Sequence, residues 1–263
     1  ALLGHVRNYY RSDGLLYSLP FNSSNPILVF NEEAFRSAGL DPEPPETYGA
    51  VREAAEQLVE AGVTEYGITF ANYSWYVEQW FAEQDQQLVN RRNGRDGDAT
   101  EAYLDSQAAA TVFEWWNGLE ADGLYLNPGI EARGKAKDAF HDGRAGMLIG
   151  STSSLAGIVD GADFEVSTGY FPVPDDGTGG LVGGGSLWLA ADLPREQREA
   201  AAEFSGWLAQ PERQARWHRE TGYFPVHEQA VKQLDRDGWF DQHPHFATAF
   251  EQLQNSRQTV ATG

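Results

Sequence analysis

Short apolar runs alternate along this chain with longer stretches in which apolar positions recur every three or four residues. That alternation of strand and helix periods predicts an α/β architecture. Ile27-Leu28-Val29-Phe30 is rich in β-branched residues and reads as a strand buried on both faces. Leu15–Leu19, Tyr66–Phe70, Gly146–Ile149, Phe164–Phe171 and Ser186–Ala191 read as further strands. Helical spacing places Val51, Ala54, Ala55, Leu58 and Val59 on one face, and Ala109, Val112, Phe113, Trp116 and Leu119 on another. Ala201, Phe204 and Leu208 form a third such face. Shorter helices are expected over Leu2–Tyr10, over Lys135–His141, and around Val231 and Phe250. Asn31 and Thr47 stand where N-caps are needed, Gly39, Gly62 and Gly222 where helices stop, and Pro194 and Pro211 in first turns.

Polar and aromatic clusters sit at the junctions between these elements. Between Pro20 and Pro26, Asn22-Ser23-Ser24-Asn25 reads as a non-helical bend with hydroxyls and amides to spare. It is either a ligand-holding bend or a plain loop-to-strand junction. Asn72-Tyr73-Ser74-Trp75-Tyr76 and Gly150-Ser151-Thr152-Ser153-Ser154 follow strands, at the positions where α/β proteins hold ligands. Asn90 to Thr100 is charged and Gly-rich, an exposed loop or hairpin without the spacing of a calcium loop. Gly177 to Ser186 holds six glycines but has neither dinucleotide nor phosphate-loop spacing, and Gly184-Gly185-Ser186 does not make a nucleophile elbow. Gln258 to Gly263 predicts neither strand nor helix.

The 263 residues allow one large domain or two ordinary ones. Acidic residues number 39 against 19 basic ones, only three of them lysines, for a formal net charge of −20. Such a chain repels nucleic acid and anionic lipid, and its surface looks adapted to a salty medium. The absence of Cys excludes disulfides, thiolate nucleophiles and thiolate metal sites. No apolar run is long enough for a transmembrane helix and no signal peptide is visible, although the abrupt start at Ala1 suggests that an upstream segment has been removed. His243-Pro244-His245 with Asp241 is the one conceivable metal site, and it lacks further ligands in sequence. His218 reads as a packed or solvated histidine, and no catalytic motif is present.

Three motifs carry a family resemblance. Phe21-Asn22-Ser23-Ser24-Asn25-Pro26 leads through the apolar run to Asn31-Glu32-Glu33-Ala34-Phe35; the others are Gly183-Gly184-Gly185-Ser186-Leu187-Trp188 and Trp217-His218-Arg219-Glu220-Thr221-Gly222-Tyr223-Phe224-Pro225. With Phe140–Met147, they resemble the extracytoplasmic solute-binding proteins of ABC importers, in the sugar and polyol type and its glycerol-3-phosphate branch. The resemblance implies a two-lobed α/β fold of the periplasmic-binding-protein type II, closing on its ligand like a clamp. By it, residues 26–182 and 225–263 form the C-terminal lobe. Residues 1–24 and 184–223 then form an incomplete N-terminal lobe, the remainder lying beyond both ends.

The same resemblance implies a ligand cup of Ser24, Ser151, Gly184 and Tyr223, with Trp75 on the glycerol side; a second tryptophan of the family falls near Asn72 and Tyr73, where this sequence departs. It further implies a monomeric binder, not an enzyme, located in the periplasm or at the cell surface. Its partners would be a small-molecule ligand and membrane permease subunits, with no nucleic acid, cofactor or metal. The expected ligand is glycerol-3-phosphate or a glycerophosphodiester. An oligosaccharide is the alternative, and a glycoside hydrolase on the same scaffold would instead need a carboxylate pair facing one cleft.

Overall fold

A computed structural model describes residues 2–12, 14–174 and 183–255. Its centre is a five-stranded mixed sheet in the order Tyr125–Leu126, Tyr66–Thr69, Ala145–Ser151, Pro26–Asn31, Val166–Gly169. The first three strands run parallel, while Pro26–Asn31 is antiparallel to both its neighbours. All six residues of Pro26–Asn31 are buried, because both faces of the sheet are covered. The strand's period of two sends Leu28 and Phe30 to one side, where they join Ile68, Met147 and Ile149 under the helices Tyr48–Glu60, Ser74–Glu83 and Gln107–Ala121. Ile27 and Val29 go to the other side, into a cluster with Leu148, Phe140, Leu155, Phe224 and Phe246.

Local sequence sets the helix starts. Asn31 accepts from Ala34 N at 2.9 Å and Thr47 accepts from Ala50 N at 3.2 Å, each satisfying an N–H that the helix cannot pair internally. Ser106 caps the Gln107–Ala121 helix, accepting from Ala109 N at 3.2 Å. Asn90 to Thr100 is a hairpin-like excursion, with Val89 bridging Ala102 and Asn90 N donating to Glu101 O at 3.1 Å.

A second pairing lies outside the main sheet: Leu19–Ser24 runs antiparallel to Gly183–Leu187. This corrects the reading of Asn22 to Asn25 as a bend and moves the start of the later strand back from Ser186 to Gly183. Asn22, Ser23 and Ser24 are extended, opposite Gly185, Gly184 and Gly183 respectively. Their backbone groups are satisfied by a strand far along the chain, so the local signals of Asn, Ser and Pro are overridden by tertiary pairing. Pro20 is accommodated at a register shift between Pro20 and Asn22. A third passage joins in at Phe224, whose N–H donates to Ser23 O at 2.7 Å.

Two expected core positions are not core. Phe113 is half exposed, at the margin of its helix's apolar stripe. The helix Arg195–Leu208 buries none of its side chains; Phe204 is 59% exposed and stacks on Trp207 at 6.0 Å between ring centres. Nothing among the described residues covers that face. Two other expectations fall outside the described residues: the glycines from Gly177 to Gly180 and the tail from Gln258 to Gly263.

Candidate ligand-binding cleft

Ser24, Trp75, Ser151, Gly184 and Tyr223 come from distant parts of the chain and line one cleft of about 300 Å³. Each is placed by the end of an element. Ser24 closes the Leu19–Ser24 strand, after which Asn25 N donates to Thr152 Oγ1 at 3.2 Å and Thr152 N to Asn25 O at 3.0 Å. That reciprocal pair fixes Ser24 beside Ser151, the last residue of the Ala145–Ser151 strand. The Ser151 hydroxyl stands 2.9 Å from that of Ser153, and it also accepts from Ser153 N at 3.3 Å.

The glycines are steric necessities. A Cβ on Gly183 would sit 2.6 Å from Trp75 Cζ2 and 3.0 Å from Ser24 Oγ, so only glycine lets the indole approach that strand. Gly184 has φ +123° and a Cβ there would meet Asn22 O at 2.3 Å, so both conformation and space exclude a side chain. Gly184 is exposed where it lines the cleft.

Trp75 lies in the first turn of the Ser74–Glu83 helix, 6.1 Å from the Tyr73 ring and 5.8 Å from Tyr76. Tyr76 is buried, donates to Ile149 O at 3.2 Å, and has its phenol held above the ordinary range by burial. Tyr223 follows Gly222, whose φ of +88° ends the Pro211–Thr221 helix. Its carbonyl accepts from His218 Nδ1 at 2.9 Å, which fixes the backbone behind the phenol. His218 is buried and packed, and burial pulls its pKa down to about 4, so the ring is neutral near pH 7.

Tyr73, Tyr76, Arg133, Ser153 and Gly183 also line the cleft. Four of these lie within clusters visible in the sequence: the aromatic group, the hydroxyl run and the glycine run. Arg133 had no such signal. It is delivered by Asn72, which pairs with the 129–131 segment through Asn72 N to Gly129 O at 3.2 Å and Glu131 N to Asn72 O at 3.1 Å. The guanidinium then lies 4.8 Å from the centre of the Tyr73 ring. Asn72 Oδ1 also accepts from the Tyr125 hydroxyl at 2.8 Å, so its side-chain amide braces this segment.

The His243 and His245 rings are 6.0 Å apart, with His243 against Trp239 at 3.9 Å. Among the described residues no three metal-ligating side chains gather, at this pair or elsewhere. No helix among them is long and apolar enough to cross a membrane.

The cleft thus presents hydroxyls, open backbone, aromatic rings and one cation, which can hold a small polar anion or a polyol by hydrogen bonding and stacking. The chain is 30% identical over 258 residues to the sn-glycerol-3-phosphate-binding periplasmic protein UgpB of Pectobacterium atrosepticum, covering 95% of this chain and 57% of that protein. The same-named protein of Escherichia coli K12 is 31% identical over 260 residues, with 58% of it covered. The chain therefore spans less than two thirds of the length of these relatives. Among solved structures, UgpB of Mycobacterium tuberculosis in complex with glycerophosphocholine superposes with a TM-score of 0.83 at 22% identity, over 98% of this chain and 64% of that one. The sugar-binding protein MalE of Xanthomonas citri gives 0.77 at 17%, over 98% and 64%. The fold is that of the two-lobed periplasmic solute-binding proteins. With residues 3–248 matching the family described as bacterial extracellular solute-binding protein, the chain belongs to that family.

Proposed function

We propose that this chain is part of the solute-binding component of an ABC importer, capturing glycerol-3-phosphate or a glycerophosphodiester outside the cytoplasmic membrane and handing it to the permease subunits. The observation that carries the reading is the meeting of Ser24, Ser151, Gly184 and Tyr223 in one cleft, opposite the aromatic group of Trp75 and Tyr73. Two hydroxyls, a phenol and the backbone of an exposed glycine suit phosphate oxygens, and the rings suit the glycerol carbons. Relatives named for glycerol-3-phosphate binding support the same ligand class.

The division into lobes is supported by the two separate strand pairings. In this reading the described residues within 26–182 and 225–263 make one lobe around the five-stranded sheet, and those within 1–24 and 184–223 belong to the other. The chain crosses between them at Ser24–Asn25, near Gly183 and at Tyr223–Phe224, so the cleft lies at the hinge. The protein works as a monomer without nucleic acid, which its charge of −20 repels, and its acidic surface suits a saline medium.

An oligosaccharide is the second reading, favoured by the four aromatic residues at the cleft and by the sugar-binding proteins of the same fold. Binding rather than hydrolysis fits the site, whose lining residues include no carboxylate. Titration calorimetry of the full-length protein with glycerol-3-phosphate, glycerol and maltose separates the readings. Tight binding of glycerol-3-phosphate alone is expected, and tight binding of maltose instead would give the site to sugars.

A further inference from the structure

Some arginines of this chain are held by acids and others are not. Arg36, Arg52, Arg144, Arg216 and Arg219 each pair with a nearby carboxylate, as expected where 39 acidic residues surround 19 basic ones. Arg133 has no such partner among the described residues, although it is exposed and stands at the cleft. It carries the only charge among the described residues that line the cleft.

Its surroundings add a second cation and several hydroxyls to a largely apolar space. Behind Ser151 and Ser153 the space continues into a second chamber of about 230 Å³, and Arg133 stands at the junction, lining both. Lys137, one turn further along the Arg133–His141 helix, lines that chamber as well. So does Gly134, where a Cβ would meet nothing within 4 Å, in a first turn that holds no acidic residue. Two of the chain's few cations therefore face one continuous space, against the sign of the molecule as a whole.

The aromatic side of the cleft gives the same answer. Tyr73 would otherwise offer its ring face to a ligand cation, the usual way to hold a quaternary ammonium. That face is taken by the Arg133 guanidinium, 4.8 Å from the ring centre.

We propose that Arg133 sorts ligands by charge, favouring phosphate monoesters and turning away phosphodiesters that end in a cation, with the second chamber taking an additional anionic group. The inference rests on the phosphate reading of the cleft. A monoester brings about −1.5 to −2 charge at neutral pH, whereas a choline diester brings one negative charge and a positive one that must lie near the guanidinium.

The test is titration calorimetry of the full-length protein with glycerol-3-phosphate, glycerophosphocholine and maltose, for the parent, Arg133→Gln and Arg133→Lys. The parent should bind glycerol-3-phosphate at least about tenfold more tightly than glycerophosphocholine, and Arg133→Gln should lose about tenfold or more for the monoester while changing the choline diester by less than about twofold. Arg133→Lys should keep the preference. Arg133 is exposed, so matching melting curves are expected for all three proteins. Two phosphate esters bound with the same ratio in parent and Arg133→Gln would overturn this inference alone. Maltose bound with neither ester would overturn the phosphate reading and the charge selection with it.

Discussion

The hydroxyl of Tyr223 and the indole of Trp75 make separable contributions. The backbone that carries the Tyr223 phenol is fixed by Gly222 and by the hydrogen bond from His218 to the Tyr223 carbonyl. Tyr223→Phe should therefore leave the backbone intact while weakening glycerol-3-phosphate by about 1.5 to 3 kcal/mol, the range for a hydrogen bond to a charged acceptor. Glycerol should lose almost nothing. Trp75→Ala should weaken glycerol-3-phosphate and glycerol alike through lost stacking and apolar contact. Calorimetry on the full-length variants reads both, and unchanged glycerol-3-phosphate affinity in Tyr223→Phe would remove the cup. At this scale most of the candidate site was visible in the sequence, since Ser24, Ser151, Gly184 and Tyr223 sit in recognisable motifs. Arg133 was not, because its place depends on a backbone pairing between Asn72 and residues 129–131 that no local pattern reports.

Among the elements, the central sheet was legible and the linking strands were only partly so. Pro26–Asn31 is buried on both faces and so writes its environment as an unbroken apolar run. Leu19–Ser24 is half covered, polar, and paired with glycines, so its composition resembles that of a turn. What holds it is Gln214, a buried residue on the Pro211–Thr221 helix. Gln214 Nε2 donates to Phe21 O at 2.9 Å and to Leu208 O at 3.2 Å, while Oε1 accepts from Val226 N at 2.9 Å. One amide thus satisfies backbone groups on two of the passages between the sheets and on the end of a neighbouring helix. Gln214→Leu keeps the volume but strands those groups, and should lower stability by about 2 to 4 kcal/mol in denaturant titration. A change within about 0.5 kcal/mol would mean that water replaces the amide.

Across the whole molecule, charge governs how a ligand arrives. At −20 this chain should repel an anionic ligand at long range, and under the proposed reading Arg133 would attract it close in. In ~1 M salt the Debye length falls to about 3 Å and the long-range repulsion fades, so association with glycerol-3-phosphate should accelerate as salt rises. Stopped-flow rates that fall with salt would count against an anionic ligand or against a uniformly acidic surface. The ion pairs described here are mostly exposed, and their screening costs little.

The linking strands also set a timetable for synthesis. Ser23 and Gly183, which meet through the Ser23 hydroxyl at 3.2 Å, are 160 residues apart in the chain. A ribosome adding about 5 to 20 residues per second leaves Leu19–Ser24 waiting roughly 10 to 30 s for its partner, while the strands from Pro26 to Gly169 have already emerged and can associate. The strands of the five-stranded sheet can associate early, whereas the sheet face covered by Phe224 and Phe246 and the second wall of the cleft wait until the glycine strand and the segment from Tyr223 onward arrive. During that interval the nascent chain carries an unpaired strand edge in place of a binding site, the kind of surface that chaperones capture and that neighbouring chains can join.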